Sequence, residues 1–294
     1  DKFILSYCDR ALGITSAEEQ PVLPKGNNLS LHLLELFTSR VAKVGMTDGI
    51  RQVLQEESDA LRAYYEQAGI LIARPAGGTS CRLAISAKGG TNAENHNHND
   101  VGSYAVALGS ETMVGDQGGP NSYPGDYFNG DAPQKYKIKG SFGHPVPVVD
   151  GRTQSSGGKA KGVVLQKEFT NEKDVFSINY TSAYSTPNLD KLIRTFVYDR
   201  QGKGSFTVGD EFTAKTPIRF ETAITTRADW KILDDTHLLL ATDSEQMIVA
   251  IEASGKVAFT SETIEVNSPA YTRIGIALKN QSKEGYIRLK MYTK

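Results

Sequence analysis

The spacing of apolar residues divides the chain into a helical beginning and a longer β-rich part. Between Ser30 and Lys43 the apolar residues recur at helical spacing, and a second, broken apolar stripe runs from Thr47 to Tyr64. Residues 14–28, which precede both stripes, have the composition of a loop. The pattern therefore predicts two short helices within the first 67 residues, which is less helix than a self-sufficient bundle needs.

From Gly69 onward, short apolar runs of strand character are separated by turn residues. Tight turns are expected at Asp150-Gly151 and at Val208-Gly209-Asp210, and the Gly/Ser/Lys-rich residues 154–162 are expected to form a mobile loop. The runs of strand character are 70–74, 82–87, 103–108, 112–114, 162–166, 176–181, 193–198, 206–208, 218–224, 246–251, 256–261, 271–277 and 286–292. Many short strands without intervening helices are typical of stacked antiparallel sheets.

These patterns predict an α+β chain that is mainly β. We expect a helical segment over residues 1–68 and a large antiparallel β-sandwich of stacked sheets over residues 69–294. With 294 residues the chain is long enough for one large domain or two modest ones. No internal repeat of fixed period interrupts this division.

Composition and charge exclude several classes of protein. The 39% hydrophobic and 23% charged residues are ordinary for a soluble protein, and no apolar run approaches the roughly 20 residues that span a bilayer. The net charge of −1 gives no global attraction to nucleic acid or to a membrane surface. Cys8 and Cys81 form no zinc or redox motif. The chain begins at Asp1 and not at Met, so we expect a processed or shortened protein and give the missing signal peptide little weight.

Three of the five histidines lie close together in the sequence, whereas His32 and His237 stand alone in apolar patterns and are expected to be structural. In an extended chain His96, His98 and Asp100 would share one face, and imidazole with carboxylate is a normal set of zinc ligands. The alternative is that this polar segment is a solvated turn, since Asn, His and Asp are common loop residues.

The residues around this segment favour a functional site over a solvated turn. Asp116 ends a strand-like run and begins a loop rich in glycine and aromatic residues, a common location for functional side chains. His144 then precedes a β-run over 146–151.

Together these motifs resemble the core signature of the heparinase II/III-like polysaccharide lyases. The matching residues are Asn95–Tyr104, Gly115-Asp116, and His144 leading into Val148–Gln154. The resemblance covers residues 69–154 best and continues to Lys294 as strand texture without motifs. It implies the β-sandwich part of such a lyase, with residues 1–68 as the end of an (α/α) toroid whose catalytic residues lie outside this chain.

The resemblance also implies roles for individual residues. His96 would be the active-site histidine that faces the substrate, and Tyr127 would be the catalytic tyrosine, with Tyr123 as the reserve. Tyr123 and Asn95 would contact the substrate.

A structural zinc ion is the cofactor that the resemblance implies, with His98, Asp116 and His144 as its ligands. This chain has Pro145 where relatives often have Asn, which leaves the imidazole of His144 available but changes the backbone donor behind it.

A plain hairpin would not bring these ligands together. If the strands before and after Ser110 form a hairpin, Asp116 pairs near Ala105, about seven residues and roughly 23 Å from His98 at strand rise. The chain must therefore bend between residues 99 and 103, with Gly102 as the pivot, or the pairing must be irregular.

The resemblance implies β-elimination on a uronic-acid polysaccharide. The expected partners are an acidic polysaccharide and the missing N-terminal toroid domain, in the periplasm or outside the cell. A homo-oligomer is left open. Local positive charge for the substrate would come from Lys135, Lys137, Lys139 and Arg152, each of which could instead be an ordinary solvated charge.

Two functions from other classes remain as alternatives. One is a non-catalytic carbohydrate-binding or structural β-module that uses tyrosines as sugar platforms. The other is a metal-dependent hydrolase, which would require an open coordination position on the metal.

Overall fold

The computed structural model describes residues 61–116, 119–265 and 270–294. Apart from residues 61–64, both predicted helices lie outside the described residues. Leu61–Lys294 forms one compact β-rich unit. Within these ranges, no helix is long and apolar enough to cross a membrane.

The described residues contain nineteen strands, one short α-helix and two 3₁₀ turns. The strands are β1 Arg62–Tyr65, β2 Ile70–Ala73, β3 Leu83–Lys88, β4 Thr91–Asn92, β5 Tyr104–Leu108, β6 Glu111–Val114, β7 Val148–Val149, β8 Gly157–Lys161, β9 Val163–Phe169, β10 Lys173–Asn179, β11 Leu189–Asp199, β12 Ser205–Ile218, β13 Phe220–Thr226, β14 Asp229–Asp234, β15 His237–Ala241, β16 Gln246–Ala253, β17 Val257–Ile264, β18 Tyr271–Leu278 and β19 Ser282–Thr293. The helix α1 is Ala132–Lys135, and the 3₁₀ turns are Ser141–Gly143 and Thr181–Ala183.

The strands form four sheets, and their strand pairings are antiparallel, as the sequence predicts. The largest has eight strands in the order β14-β15-β16-β19-β12-β11-β10-β9. A five-stranded sheet has the order β1-β2-β3-β5-β6, a four-stranded sheet the order β17-β18-β13-β7, and β4 pairs with β8 alone. The prediction of a large antiparallel β-sandwich is therefore confirmed.

The core lies between the eight-stranded sheet and the two smaller sheets. Residues of β3, β5 and β11 alternate between buried and more exposed positions, as strands with one face on a core do. Tyr104 of the five-stranded sheet packs on Phe196 and Phe206 of the large sheet, with ring centroids 6.3 and 5.9 Å away. Phe220 of the four-stranded sheet stacks on Phe212 at 4.6 Å. Both smaller sheets therefore share one apolar layer with the large sheet.

The prediction of helix up to Tyr64 is wrong for residues 62–64, which lie in strand β1. The Arg62 Nε donates to the Asp174 carboxylate at 2.8 Å, and the Tyr64 ring packs on Phe169 and Phe176 at 5.6 and 5.8 Å. These tertiary partners override the weak helical pattern of the segment.

Two expected irregular segments are strands. The residues predicted to turn at Val208-Gly209-Asp210 lie inside β12, and the expected mobile loop at 154–162 contains β8, which pairs with β4. Asp210 is tolerated within a strand because a buried arginine, Arg194, neutralises it. The turn at Asp150-Gly151 is confirmed, with positive φ angles of 51° and 75°.

Candidate metal centre and adjoining cleft

His98, Asp116 and His144 come together in space from three separate segments. One donor atom from each lies within 4.8 Å of the other two. His98 lies in the loop between β4 and β5, Asp116 follows β6, and His144 follows the 3₁₀ turn Ser141–Gly143. We call this group the metal centre.

The bend required to bring His98 toward Asp116 occurs at the expected pivot. Gly102 has a φ of +88°, a backbone conformation that glycine adopts readily. Its N–H donates to the Lys88 carbonyl, and the Ser103 N–H donates to the Asp100 carbonyl, both at 2.9 Å. The predicted bend is therefore confirmed, and the β5–β6 pairing is also irregular, with a register shift between Val106 and Ala107.

His144 is held with one ring nitrogen ready for a ligand. It is 1% exposed, and its Nε2 donates to the Ile138 carbonyl at 3.0 Å. Because a carbonyl only accepts, the neutral ring keeps its lone pair on Nδ1. That Nδ1 is buried without a hydrogen-bond partner and lies 3.5 Å from the Asp116 carboxylate. A metal ion would satisfy this buried atom, and the carbonyl behind the ring is the usual support for a metal-binding histidine.

His98 has the protonation state that a metal ligand needs. Burial and the neighbouring His144 lower the pKa of His98 to about 4, so its imidazole is neutral at neutral pH. The ring centroids of His98 and His144 are 5.2 Å apart. Two imidazoles and one carboxylate match the donor set of zinc, with a fourth position left for water or another side chain.

His96 lies in a cleft beside the metal centre. The cleft has a volume of about 380 Å³ and is called the His96 cleft below; its lining includes Asn95, His96, Asn97, Phe128, Asn129 and Lys139. His96 and Asn95 are exposed, and the His96 ring lies against Phe128 with centroids 4.8 Å apart. Of the four residues that the sequence places at the substrate, Asn95 and His96 line this cleft, whereas Tyr123 and Tyr127 are outside its lining.

The hypothesis that His96, His98 and Asp100 share one face of an extended chain is wrong. His96 has a φ of +58°, so the segment turns at this residue and the alternation of faces is lost. Asp100 is buried and pairs with Lys88 at 2.5 Å. The His-x-His motif supplies one histidine to the cleft and one to the metal centre.

Tyr127 lies between the metal centre and the His96 cleft. Its ring is 1% exposed, and its hydroxyl is 3.2 Å from the His98 Nε2. Burial raises the pKa of Tyr127 to about 12, so the phenol is protonated at neutral pH. Tyr123 and Phe128 pack on Tyr127 with centroids 5.1 and 5.4 Å away, and they are 57% and 50% exposed.

Among the basic residues singled out in the sequence, Lys139 is the one that lines the cleft. Its ammonium donates to the Tyr127 carbonyl at 2.5 Å and lies over the rings of Tyr127 and Phe128, 4.8 and 5.0 Å from their centroids. Burial lowers the pKa of Lys139. Lys135 and Lys137 instead form ion pairs with surface carboxylates.

Two supports of the site are not visible in the sequence. Ile138 and Lys139 are adjacent, and their carbonyls hold the two histidine segments: one accepts from His144 and the other from the Asn99 N–H at 2.9 Å. Gln154 is the last residue of the motif and holds the loop between β4 and β5. Its side chain bonds the N–H and the carbonyl of Val101 at 3.1 and 2.7 Å. The two carbonyls have no sequence signal, and Gln154 is signalled only by its position in the motif.

Comparison with known proteins gives a clear likeness at the level of fold. No protein-family model and no curated protein sequence matches the chain. Among solved structures, the chain is similar to heparinase III, with a TM-score of 0.62 and 18% identity over 79% of this chain. It is also similar to the heparan sulfate lyase HepC of Pedobacter heparinus, with a TM-score of 0.67 and 14% identity over 89% of this chain. The chain spans 36% of the length of the former and 42% of the latter.

Proposed function

We propose that this chain forms the β-sandwich side of a polysaccharide lyase site that cleaves uronic-acid-containing polysaccharide by β-elimination. The observation that carries the proposal is the His96 cleft beside a three-ligand metal centre, in a fold shared with a heparan sulfate lyase. We also propose zinc as the metal, with a structural role, and a periplasmic or secreted location.

The chemistry requires a base at C5 of the uronic acid and a proton donor at the C4-linked oxygen. Removal of the C5 proton places charge on the adjacent carboxylate, the C4–O bond breaks, and a C4–C5 double bond forms. His96 is the exposed imidazole of the cleft and would take the C5 proton. The protonated phenol of Tyr127 packs on Phe128 of the cleft lining and would act as the donor, with Tyr123 and Asn95 in contact with the sugar.

Charge that develops on the substrate carboxylate needs a fixed positive partner. The Lys139 ammonium is held in the cleft lining by the Tyr127 carbonyl and two aromatic rings. Zinc, when bound, would fix the relative positions of the segments that carry His98, Asp116 and His144. Through Tyr127 and the turn at His96, these segments also set the geometry of the cleft.

A carbohydrate-binding module is the second candidate function, and one observation favours it. Tyr123 and Phe128 expose 57% and 50% of their surface next to the cleft, as aromatic platforms for sugar rings do. This function requires the cleft and the aromatic rings but no proton transfer.

The formation of unsaturated product separates these functions. The protein, joined to the helical toroid that the resemblance implies, is incubated with heparan sulfate, chondroitin sulfate and alginate, and ultraviolet absorbance of the unsaturated uronate is followed. We expect absorbance with at least one substrate and its loss in His96→Ala. If none of these uronates gives the product, the lyase proposal fails and the binding module becomes the better account.

Metal content is tested separately by elemental analysis of protein purified without chelator. We expect about one equivalent of zinc per chain, bound by three protein ligands. Less than about half an equivalent would contradict the metal assignment, because structural zinc sites bind tightly enough to survive purification.

A further inference from the structure

Arg194 is a fully buried arginine in the middle of the large sheet. It lies in β11 and has 0% exposure. Its Nε and Nη2 donate to the two oxygens of Asp210 at 2.8 and 2.6 Å, which is the bidentate geometry of a strong arginine–carboxylate pair. The charge of Arg194 is therefore matched within the core.

The remaining nitrogen of Arg194 joins the two histidine-bearing segments. Nη1 donates to the Gly102 carbonyl and to the Pro145 carbonyl, both at 2.7 Å. Gly102 is the pivot that turns the chain after His98, and Pro145 follows His144 directly. One planar group thus bonds both to backbone four residues after His98 and to backbone next to His144.

Asp210 is itself held by two further buried donors. The Tyr180 hydroxyl donates to it at 2.6 Å, and the Thr222 hydroxyl donates to it at 2.8 Å. The Tyr180 ring also lies against the Gly102 pivot, 3.3 Å from where a Cβ would stand. The guanidinium therefore has one available orientation.

Stability alone is a weak reason to bury such a pair. Removing two charges from water is costly, and well-packed apolar residues are often equally stable in place of a buried ion pair. A guanidinium, however, offers donors in a rigid plane that an apolar group or an ammonium cannot reproduce.

We propose that Arg194 is a positioning residue for the metal centre and sets the spacing of His98 and His144 through the carbonyls of Gly102 and Pro145. This inference rests on the metal site put forward under Proposed function. Arg194 contacts neither metal nor substrate, and its effect passes through backbone.

The test compares Arg194→Lys with a matched control in the full chain. Lysine keeps the charge opposite Asp210, but its single nitrogen cannot occupy the positions of Nε, Nη1 and Nη2 at once, so it cannot keep the hydrogen bonds to both Asp210 oxygens and to both carbonyls. Tyr198→Phe is the control, since it removes the buried contacts of the Tyr198 hydroxyl with the Leu83 carbonyl at 2.5 Å and with the Cys81 sulfur at 3.6 Å, at the opposite end of β3 from the Gly102 bend. Zinc affinity is measured by competition with a chromophoric chelator, the ligand field by the visible spectrum of the cobalt-substituted protein, and stability by thermal melts without metal.

We expect Arg194→Lys to weaken zinc binding by about 10- to 100-fold, the usual effect of losing a support behind metal ligands, and to change the cobalt spectrum. Tyr198→Phe should lower the melting temperature and leave both metal readouts at their wild-type values. A folded Arg194→Lys protein with wild-type zinc affinity and cobalt spectrum overturns the proposal.

Tyr180→Phe decides the question if Arg194→Lys does not fold. Tyr180→Phe removes the hydrogen bond from the Tyr180 hydroxyl to Asp210, so its zinc affinity should fall below that of Tyr198→Phe. Equal zinc affinities of these two variants overturn the proposal. If the wild-type chain binds no zinc, the metal assignment itself has failed and this inference falls with it. If the wild type binds zinc tightly and the variants bind it with the same affinity, the inference about Arg194 is wrong and the metal assignment stands.

Discussion

At the scale of single residues, the two histidines of the His-x-His motif have different surroundings. His96 stands exposed on a turn with positive φ, whereas His98 is half-buried and has a pKa lowered to about 4. The difference arises because the backbone turns at His96 and sends the next residues into the interior. Variants of the two histidines should therefore affect different properties of the protein.

Replacing His98 with alanine should cost stability through lost metal, and replacing His96 should not. Ligand binding to the native state stabilises it by about 2.7 kcal/mol at a hundredfold excess over Kd, and His98→Ala forfeits this contribution. Thermal melts with added zinc measure the effect. With a chelator present, wild type and His98→Ala should melt much closer together. Equal large losses for both variants in zinc would mean that His96 is also a ligand or a core residue.

Lys139 should contribute to the binding of an acidic oligosaccharide, in contrast to the nearby Lys135. A hydrogen bond to a charged group contributes about 1.5 kcal/mol, so Lys139→Met should weaken binding by about tenfold. Lys135→Met is the matched control, since that side chain pairs with Asp126 at the surface. Calorimetric titration at low and high salt measures both affinities. Equal losses in the two variants would indicate general electrostatic attraction without a specific contact.

The sequence predicts which residues form the site better than it predicts how they are held. His98, Asp116 and His144 converge as the family resemblance implies, although alternation along an extended chain pointed to Asp100. The carbonyl of Ile138 behind His144 has no sequence signal, because any residue supplies a carbonyl.

At the scale of elements, the bend between β4 and β5 depends on Gly102. Its φ of +88° disfavours any other residue, and a Cβ there would stand 3.3 Å from the Tyr180 ring. Gly202 provides a comparison, since it has a φ of +59° and a Cβ there would meet no atom within 4 Å. The two glycines share a left-handed backbone and differ in their surroundings.

Gly102→Ala should therefore destabilise the fold more than Gly202→Ala and should alone affect the metal centre. The left-handed backbone costs a residue with a Cβ about 1–2 kcal/mol, which both variants pay. Gly102→Ala adds a close contact between the new Cβ and the Tyr180 ring, and this contact shifts the segment after His98. Urea unfolding with chelator measures the stabilities, and chelator competition measures zinc affinity. Equal effects of the two variants on both quantities would show that the bend does not control the centre.

The positions of strands can be predicted from runs of apolar residues. The errors of that prediction occur where residues distant in the sequence determine the local structure. Val208-Gly209-Asp210 has the composition of a turn, yet it continues β12 because Arg194 neutralises Asp210. The Gly/Ser/Lys-rich stretch becomes β8 because β4 offers it a partner. A single-sequence pattern contains neither partner.

At the scale of the whole molecule, the chain brings together three groups that the proposed elimination would use. The His96 cleft has an exposed imidazole and a buried ammonium, and a protonated phenol adjoins it. The structures it resembles are more than twice as long, since the chain spans 36% and 42% of them. The resemblance implies that a helical toroid supplies the other catalytic groups.

We therefore expect this chain by itself to show little or no lyase activity while it still binds acidic oligosaccharides weakly. Catalytic groups that act as a unit do not contribute additively, so a partial set loses most of the rate and not a proportional share. The measurement is unsaturated-product absorbance for the isolated chain and for the same chain joined to the toroid, with Lys139→Met as a binding control in both. If the isolated chain cleaves a uronate polysaccharide at an ordinary enzymatic rate, every catalytic group lies within residues 1–294 and the division of the site between two domains is wrong.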